Sequence, residues 1–291
     1  MKMETEKIYK ISNGKISAEI GENGCQLKSF KDGNGKEYMW CADPKIWGES
    51  SPILFPACGA LMNKKIIVDG KDYALPYHGF ACLNKFMLSS QTEDTLELYF
   101  TDTEISRSYY PFKFKFSVRF EIKDNSMFVS FITENTDDKT LYYSAGAHDG
   151  FALPGGVEDY DVVFDQEEDL NRIILDGKYC SYNREHVETE GRTLHMKYSH
   201  FLNDSLVFDN IKSKGLELVH KDTKKGVRVD FPDFKYLVMW TLQGAPYLCI
   251  EPWNGLPDFV DSDMKIEHKT GIFALEPGKK QTFTRKITPI M

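Results

Sequence analysis

The chain has 291 residues, 41% of them hydrophobic and 27% charged, and its 44 Asp and Glu against 36 Lys and Arg give a formal net charge of −8. That excess of acid argues against nucleic acid as the main partner, because phosphate binding draws on clustered cations. No run approaches the roughly 20 consecutive apolar residues that span a bilayer, and residues 1–10 lack the apolar core of a secretion signal, so the expectation is a cytoplasmic protein, away from membranes, whose partner is a small molecule.

With 20 Phe and 15 Tyr the composition favours strands, and the pattern along the chain agrees. Ile16, Ala18 and Ile20 alternate after a turn at Asn13-Gly14, and Leu96, Leu98 and Phe100 alternate in the same way. The strongest signal is residues 112–122, where Phe112, Phe114, Phe116, Val118, Phe120 and Ile122 are apolar and every residue between them is polar. A strand puts alternate side chains on opposite faces, so these six share one buried face. The chain turns at Lys123-Asp124-Asn125-Ser126 and returns from Met127 to Thr133 as the second arm of a hairpin. Later, Leu216 and Leu218 pair by pattern with Val227, Val229 and Phe231 around the polar run 221–226, which reads as a solvated hairpin tip.

Helical periodicity is nearly absent, and no linker, low-complexity tract or fixed-period repeat divides the chain. The expectation is an all-β protein, a large antiparallel β-sandwich, with residues 1–291 forming one domain. Cys25, Cys41, Cys58, Cys82, Cys180 and Cys249 are scattered without metal-ligand or disulfide spacing and are expected as free thiols.

Three segments interrupt the strand pattern with polar groups in apolar settings. The first is Pro76-Tyr77-His78-Gly79-Phe80, an imidazole among aromatics that by itself reads as a packed histidine. The second is Gly146-Ala147-His148-Asp149-Gly150-Phe151, where glycines on both sides of His148 allow a close approach. The third is Ile250-Glu251-Pro252-Trp253, where a carboxylate ends an apolar run that begins at Tyr247. A buried carboxylate is costly, which points to a functional role.

Taken together with Ser51-Pro52-Ile53-Leu54-Phe55-Pro56, Tyr110-Pro111-Phe112 and Leu275-Glu276-Pro277-Gly278, in this order, these segments resemble the aldose 1-epimerase (galactose mutarotase-like) family, in its bacterial mutarotase-related branch. The resemblance implies a β-supersandwich that interconverts the α and β anomers of a free hexose by acid–base ring opening, without metal or cofactor. It implies Glu251 as base, His148 as acid at the ring oxygen, His78 as a hydrogen-bonding partner, and Asp204, with Asp209 as the alternative, as a sugar-binding aspartate. Trp253 could stack on an apolar sugar face or belong to the core. Ala60 and Cys82 stand where the family commonly has arginines, and neither can replace a guanidinium. Two alternatives remain open: a sugar-binding protein on the same scaffold without turnover, and a hexose-phosphate 1-epimerase, which would need a cationic pocket.

Overall fold

A computed structural model describes residues 6–291; the first half of the opening segment, residues 1–5, lies outside the described residues. The alternating stretch forms the strand Phe114–Lys123, which pairs with Ser126–Asn135 around a turn in which Asp124 adopts a positive φ of 55°. Both belong to a nine-stranded antiparallel sheet that also holds Thr95–Thr101, Gly215–His220, Gly226–Asp230 and the long C-terminal strand Lys280–Ile290. The run 221–226 is the tip of the hairpin between Gly215–His220 and Gly226–Asp230, and it is mostly exposed.

A six-stranded sheet packs against this one. Its spine is Tyr247–Trp253, flanked by Tyr236–Trp240 on one side and by Asp149–Ala152 and Gly146–Ala147 on the other. Alternation divides the spine cleanly. Leu248 and Ile250, with Leu237 and Met239 from the neighbouring strand, join the large core that also contains Phe116, Phe131 and Phe283. Tyr247, Cys249 and Trp253, with Tyr236 and Val238, pack in two smaller clusters outside that core. The spine therefore has one face in the sandwich core and a second face that is covered by loops and is available for a site.

The two sheets are also joined by charge. Arg285 of Lys280–Ile290 reaches across the core to Asp149, with Nε–Oδ2 at 2.6 Å and Nη2–Oδ1 at 2.8 Å, and Ser51 Oγ donates to the same carboxylate at 2.8 Å. Both side chains are at most 1% exposed, and the guanidinium lies 4.9 Å from the Phe131 ring centre.

Among the described residues the α-helix content is the single turn Glu104–Arg107, and no helix is long and apolar enough to cross a membrane. All six cysteines are free. One local expectation is corrected: Glu251 does not end its strand but lies inside it, because the pairing with Tyr236–Trp240 continues through Pro252 to Trp253.

Removing one member of a buried ion pair leaves the other uncompensated, at a cost of about 3–5 kcal/mol. Arg285→Leu should therefore lower the stability measured by urea unfolding by about that amount. The double change Asp149→Leu/Arg285→Leu should lose distinctly less than the sum of the two single changes.

Candidate active site

The outer face of the six-stranded sheet brings the second and third segments together through strand register. Asp149 pairs with Ile250 and Gly146 with Trp253. Carrying that register across the intervening residues puts His148 opposite Glu251, on the face away from the core. On the other side of the spine, Val238 is the partner of Glu251. His148 Nε2 stands 3.5 Å from Glu251 Oε2.

The glycines beside His148 serve packing. A Cβ on Gly146 would come within 2.6 Å of Trp253 Cδ1, and one on Gly150 within 2.7 Å of Trp47 Cζ3. Both indoles can thus close on the sheet around His148, whose ring lies 5.2 Å from that of Trp47 and 5.7 Å from that of Trp240. The Trp253 indole N–H donates to Ala147 O at 2.9 Å, so its hydrogen bond is committed to the sheet and only its ring is left for a ligand.

His78 arrives from a loop. Its φ is 63°, and it is locked to the segment after Pro56 by two hydrogen bonds of 3.1 Å: its N–H donates to Gly59 O, and Gly59 N–H donates to His78 Nδ1. An Nδ1 that accepts carries no proton, so the neutral ring presents Nε2–H as a donor. The ring lies 5.7 Å from His148 and 5.5 Å from Trp253, edge-on to both. The loop that supports it is itself anchored, because Asp258 donates through its N–H to Ala60 O, accepts from Met62 N–H at 2.7 Å and is paired with buried Lys269.

Glu251, His148, His78, Trp253 and Asp204 line one cavity of about 360 Å³. Asp209 does not reach it and instead pairs with Arg184 at 2.9 Å. Of the two positions where the family commonly has arginines, Cys82 lines the cavity, while Ala60 is a buried loop residue that does not. Sequence reasoning passed over Lys178, Tyr77, Glu49, Trp47 and Trp240, which also line it. Lys178 is the lysine or arginine of that lining; it sits in the turn between Asn171–Asp176 and Tyr179–His186, with Nζ 5.1 Å from the Tyr77 ring centre. A depression of about 440 Å³ elsewhere is lined by the ion pairs Arg172 with Glu185 and His195 with Glu190; that imidazole–carboxylate pair is solvent-exposed and His195 is already held by Asp161, unlike the buried, unpartnered Glu251.

Electrostatics set this cavity apart. Glu251 is 1% exposed, and neither carboxylate oxygen has a hydrogen-bond partner. Burial, reinforced by the charges of Asp149 and Asp204, pushes its carboxyl well above the ordinary carboxylate range. Burial also pulls His148 down to about 4 and, together with His148 and Lys178, holds His78 well below the usual imidazole value. These shifts favour a protonated Glu251 beside a neutral His148, so the pair carries one proton in total. Linkage gives the sign of the effect on stability. A carboxyl raised in the folded state contributes stability below its unfolded pKa of about 4.3 that is lost as pH rises toward the folded value. Glu251→Gln removes that dependence, so the variant should melt above the wild type. The gap should widen from pH 5 to pH 8 by about 1.4 kcal/mol per pH unit until the folded value is reached. Calorimetry at several pH values checks this.

Residues 7–284 match the family model for aldose 1-epimerase. The chain is 30% identical over 287 residues to the chromosomal protein LacX of Lactococcus lactis subsp. lactis, covering 93% of this chain and 96% of that protein. It superposes on the structure of a galactose mutarotase related enzyme from Lactobacillus acidophilus with a TM-score of 0.93 at 30% identity, covering 98% of both chains. A galactose mutarotase-like protein from Lactobacillus casei shares the fold, with a TM-score of 0.92 at 24% identity over 97% of this chain and 100% of that one. The fold, the order of the motifs and these matches agree, and the chain belongs to the aldose 1-epimerase family.

Proposed function

We propose that the chain is an aldose 1-epimerase that interconverts the anomers of a free hexose, with Glu251 and His148 exchanging the protons. The observation that carries this reading is a carboxylate, buried and without partners, 3.5 Å from an imidazole at the wall of a cavity of about 360 Å³. Sugar binding first shifts the pair's one proton from Glu251 to His148 across their 3.5 Å contact; Glu251 then takes the proton of the anomeric hydroxyl while His148 gives one to the ring oxygen. The bond from C1 to the ring oxygen breaks and C1 becomes a carbonyl. Rotation about C1–C2 presents the other face, and the same two groups return the protons as the ring recloses. His78, with Nε2–H as donor, orients the sugar and steadies the negative charge that develops on oxygen. The indole face of Trp253 is left for an apolar sugar face, since its N–H is engaged.

A proton must leave one group and arrive from the other, so activity needs the pair to hold one proton. Below about 4, where His148 is protonated, Glu251 keeps its proton as well and there is no base. Above the raised value of Glu251 both are deprotonated and there is no acid. The profile is a broad plateau between two macroscopic values that belong to the pair.

Substrate binding falls to groups other than the arginines usual in the family. Lys178 supplies a cation from its hairpin, and Asp204 accepts from sugar hydroxyls. With Glu49, Asp204 and Glu251 around the same cavity as the one lysine, a neutral sugar is favoured over a phosphate dianion. Galactose is the first sugar to test, because the Lactobacillus acidophilus relative is described as a galactose mutarotase related enzyme.

Polarimetry of freshly dissolved α-galactose decides the matter. The wild type should speed mutarotation well above buffer, and Glu251→Gln should lower kcat by about 10²- to 10⁴-fold. A wild type no faster than buffer would leave a sugar-binding protein on this scaffold. Lys178→Met should raise KM by about 10-fold with a smaller effect on kcat, the loss expected for one hydrogen bond to a charged group.

A further inference from the structure

The acid–base reading leaves Cys249 without a use, yet its position is unusual. It lies two residues before Glu251 on the same face of Tyr247–Trp253 and is fully buried beside Trp40 and Tyr247. One ligand atom each from Cys249, His148 and Glu251 lie within 4.8 Å of one another. Two of the three side chains also have hydrogen-bonding capacity to spare: both Glu251 oxygens and His148 Nδ1 have no partner. A thiol, an imidazole and a carboxylate converging at this spacing form the mixed sulfur, nitrogen and oxygen donor set that tetrahedral zinc accepts. Zinc bonds of about 2.0 to 2.3 Å place neighbouring ligand atoms about 3.3 to 3.8 Å apart, so a small contraction of side-chain torsions closes the triad on the ion.

We propose that His148, Cys249 and Glu251 form a three-ligand site for one Zn²⁺ ion, with the fourth position open to the cavity. Cys249 loses its S–H proton to water as the zinc–sulfur bond forms, and any proton on Glu251 leaves in the same way. The two resulting anions balance the charge of the ion, and His148 binds as neutral imidazole. Glu49 and Asp204 give the cavity through which the ion enters a negative wall. Zinc held there occupies the carboxylate and imidazole that ring opening would use, so it excludes productive sugar binding. That last consequence rests on the acid–base reading; the metal site itself does not.

The test is a titration of metal-free protein with zinc chloride against a chromophoric chelator, without sugar. One equivalent should bind, and Cys249→Ala should weaken binding by at least about 10-fold, comparable to the losses seen when a zinc site is damaged. Cys41→Ser, which alters an exposed thiol outside the cluster, should bind as the wild type does. Cobalt(II) added to the wild type should give a thiolate-to-cobalt charge-transfer band, and this reading needs no variant should Cys249→Ala fail to fold. Absence of the one-equivalent binding, equal affinity in wild type and Cys249→Ala, or a cobalt complex without the thiolate band would each overturn the proposal. Because none of these measurements uses turnover, a chain that binds zinc but leaves α-galactose unchanged sinks only the epimerase reading. An epimerase that binds no zinc sinks only this one.

Discussion

The ion pair between Asp149 and Arg285 governs the site more than any other contact. His148 and Asp149 are adjacent, so on a strand they must point to opposite faces. Asp149 is held inside the sandwich by the guanidinium and by Ser51, and its neighbour is thereby directed outward, toward Glu251. A slip of one residue would bury the imidazole against Phe131 and strand the carboxylate on the outer face. Strand register is otherwise weakly specified on a sheet buried on both sides, because apolar residues satisfy either face. A charge pair with two hydrogen bonds across the core penalises the slip by the full cost of an unpaired buried charge. The ion pair adds little as a source of stability in its own right; its contribution here is specificity of register.

The same geometry leaves Glu251 deliberately unsatisfied. The spine strand is flanked on both sides, the other side chains on its outer face are Tyr247, Cys249 and Trp253, and the Trp253 N–H is donated to Ala147 O, which leaves both Glu251 oxygens without a partner of normal geometry. A protein selected for stability alone would have an apolar residue here. The destabilised carboxyl is instead poised to gain partners when a polyhydroxylated ligand enters. Under the epimerase proposal, binding would relieve the cost of this unpartnered carboxyl, and part of the affinity for a sugar would derive from that relief. His78 illustrates the opposite treatment: the Gly59 N–H fixes its tautomer before any ligand arrives, so one donor is always presented in a single orientation.

Much of this was legible in the residues. The alternation of residues 112–122 and its partners identifies antiparallel sheets, because a half-buried strand leaves a period-two trace. The spine of the second sheet leaves no such trace. With both faces covered, Tyr247 to Ile250 reads as a continuous apolar run, and that the strand continues through Glu251 and Pro252 to Trp253 is invisible until the partner strands are known. That is why its strand was expected to end there. His78, His148 and Glu251 stand out as polar groups among apolar ones, whereas Lys178 and Glu49 look like any surface charge. They join the site only because a hairpin and a loop fold over the outer face, and such long-range placement has no local signature. Asp149 and Arg285 were missed for a related reason: Arg285 shares the period-two face of Phe283 and Ile287 in Lys280–Ile290, but a charged residue type reads as solvated until the other sheet supplies its partner.

The absence of arginine from the expected positions follows from how the cavity is walled. Ala60 lies in the loop that braces His78, tied down by Asp258 and closed to the cavity, so a guanidinium there would have to displace that brace. Cys82 does face the cavity, and Glu49 lines it as well. An arginine at that position would pair with Glu49, whereas the cysteine leaves the Glu49 carboxyl raised by burial and eased only by Lys28. The cation lining the cavity is Lys178, on a hairpin tip, a flexible four-carbon chain rather than a rigid fork. A site gripped by one mobile ammonium and several acceptors discriminates less sharply among hydroxyl patterns than one gripped by two guanidinia. Under the epimerase proposal, specificity would fall to the aromatic walls, Trp47, Trp240 and Trp253, whose faces suit the apolar side of a sugar ring rather than its hydroxyl arrangement.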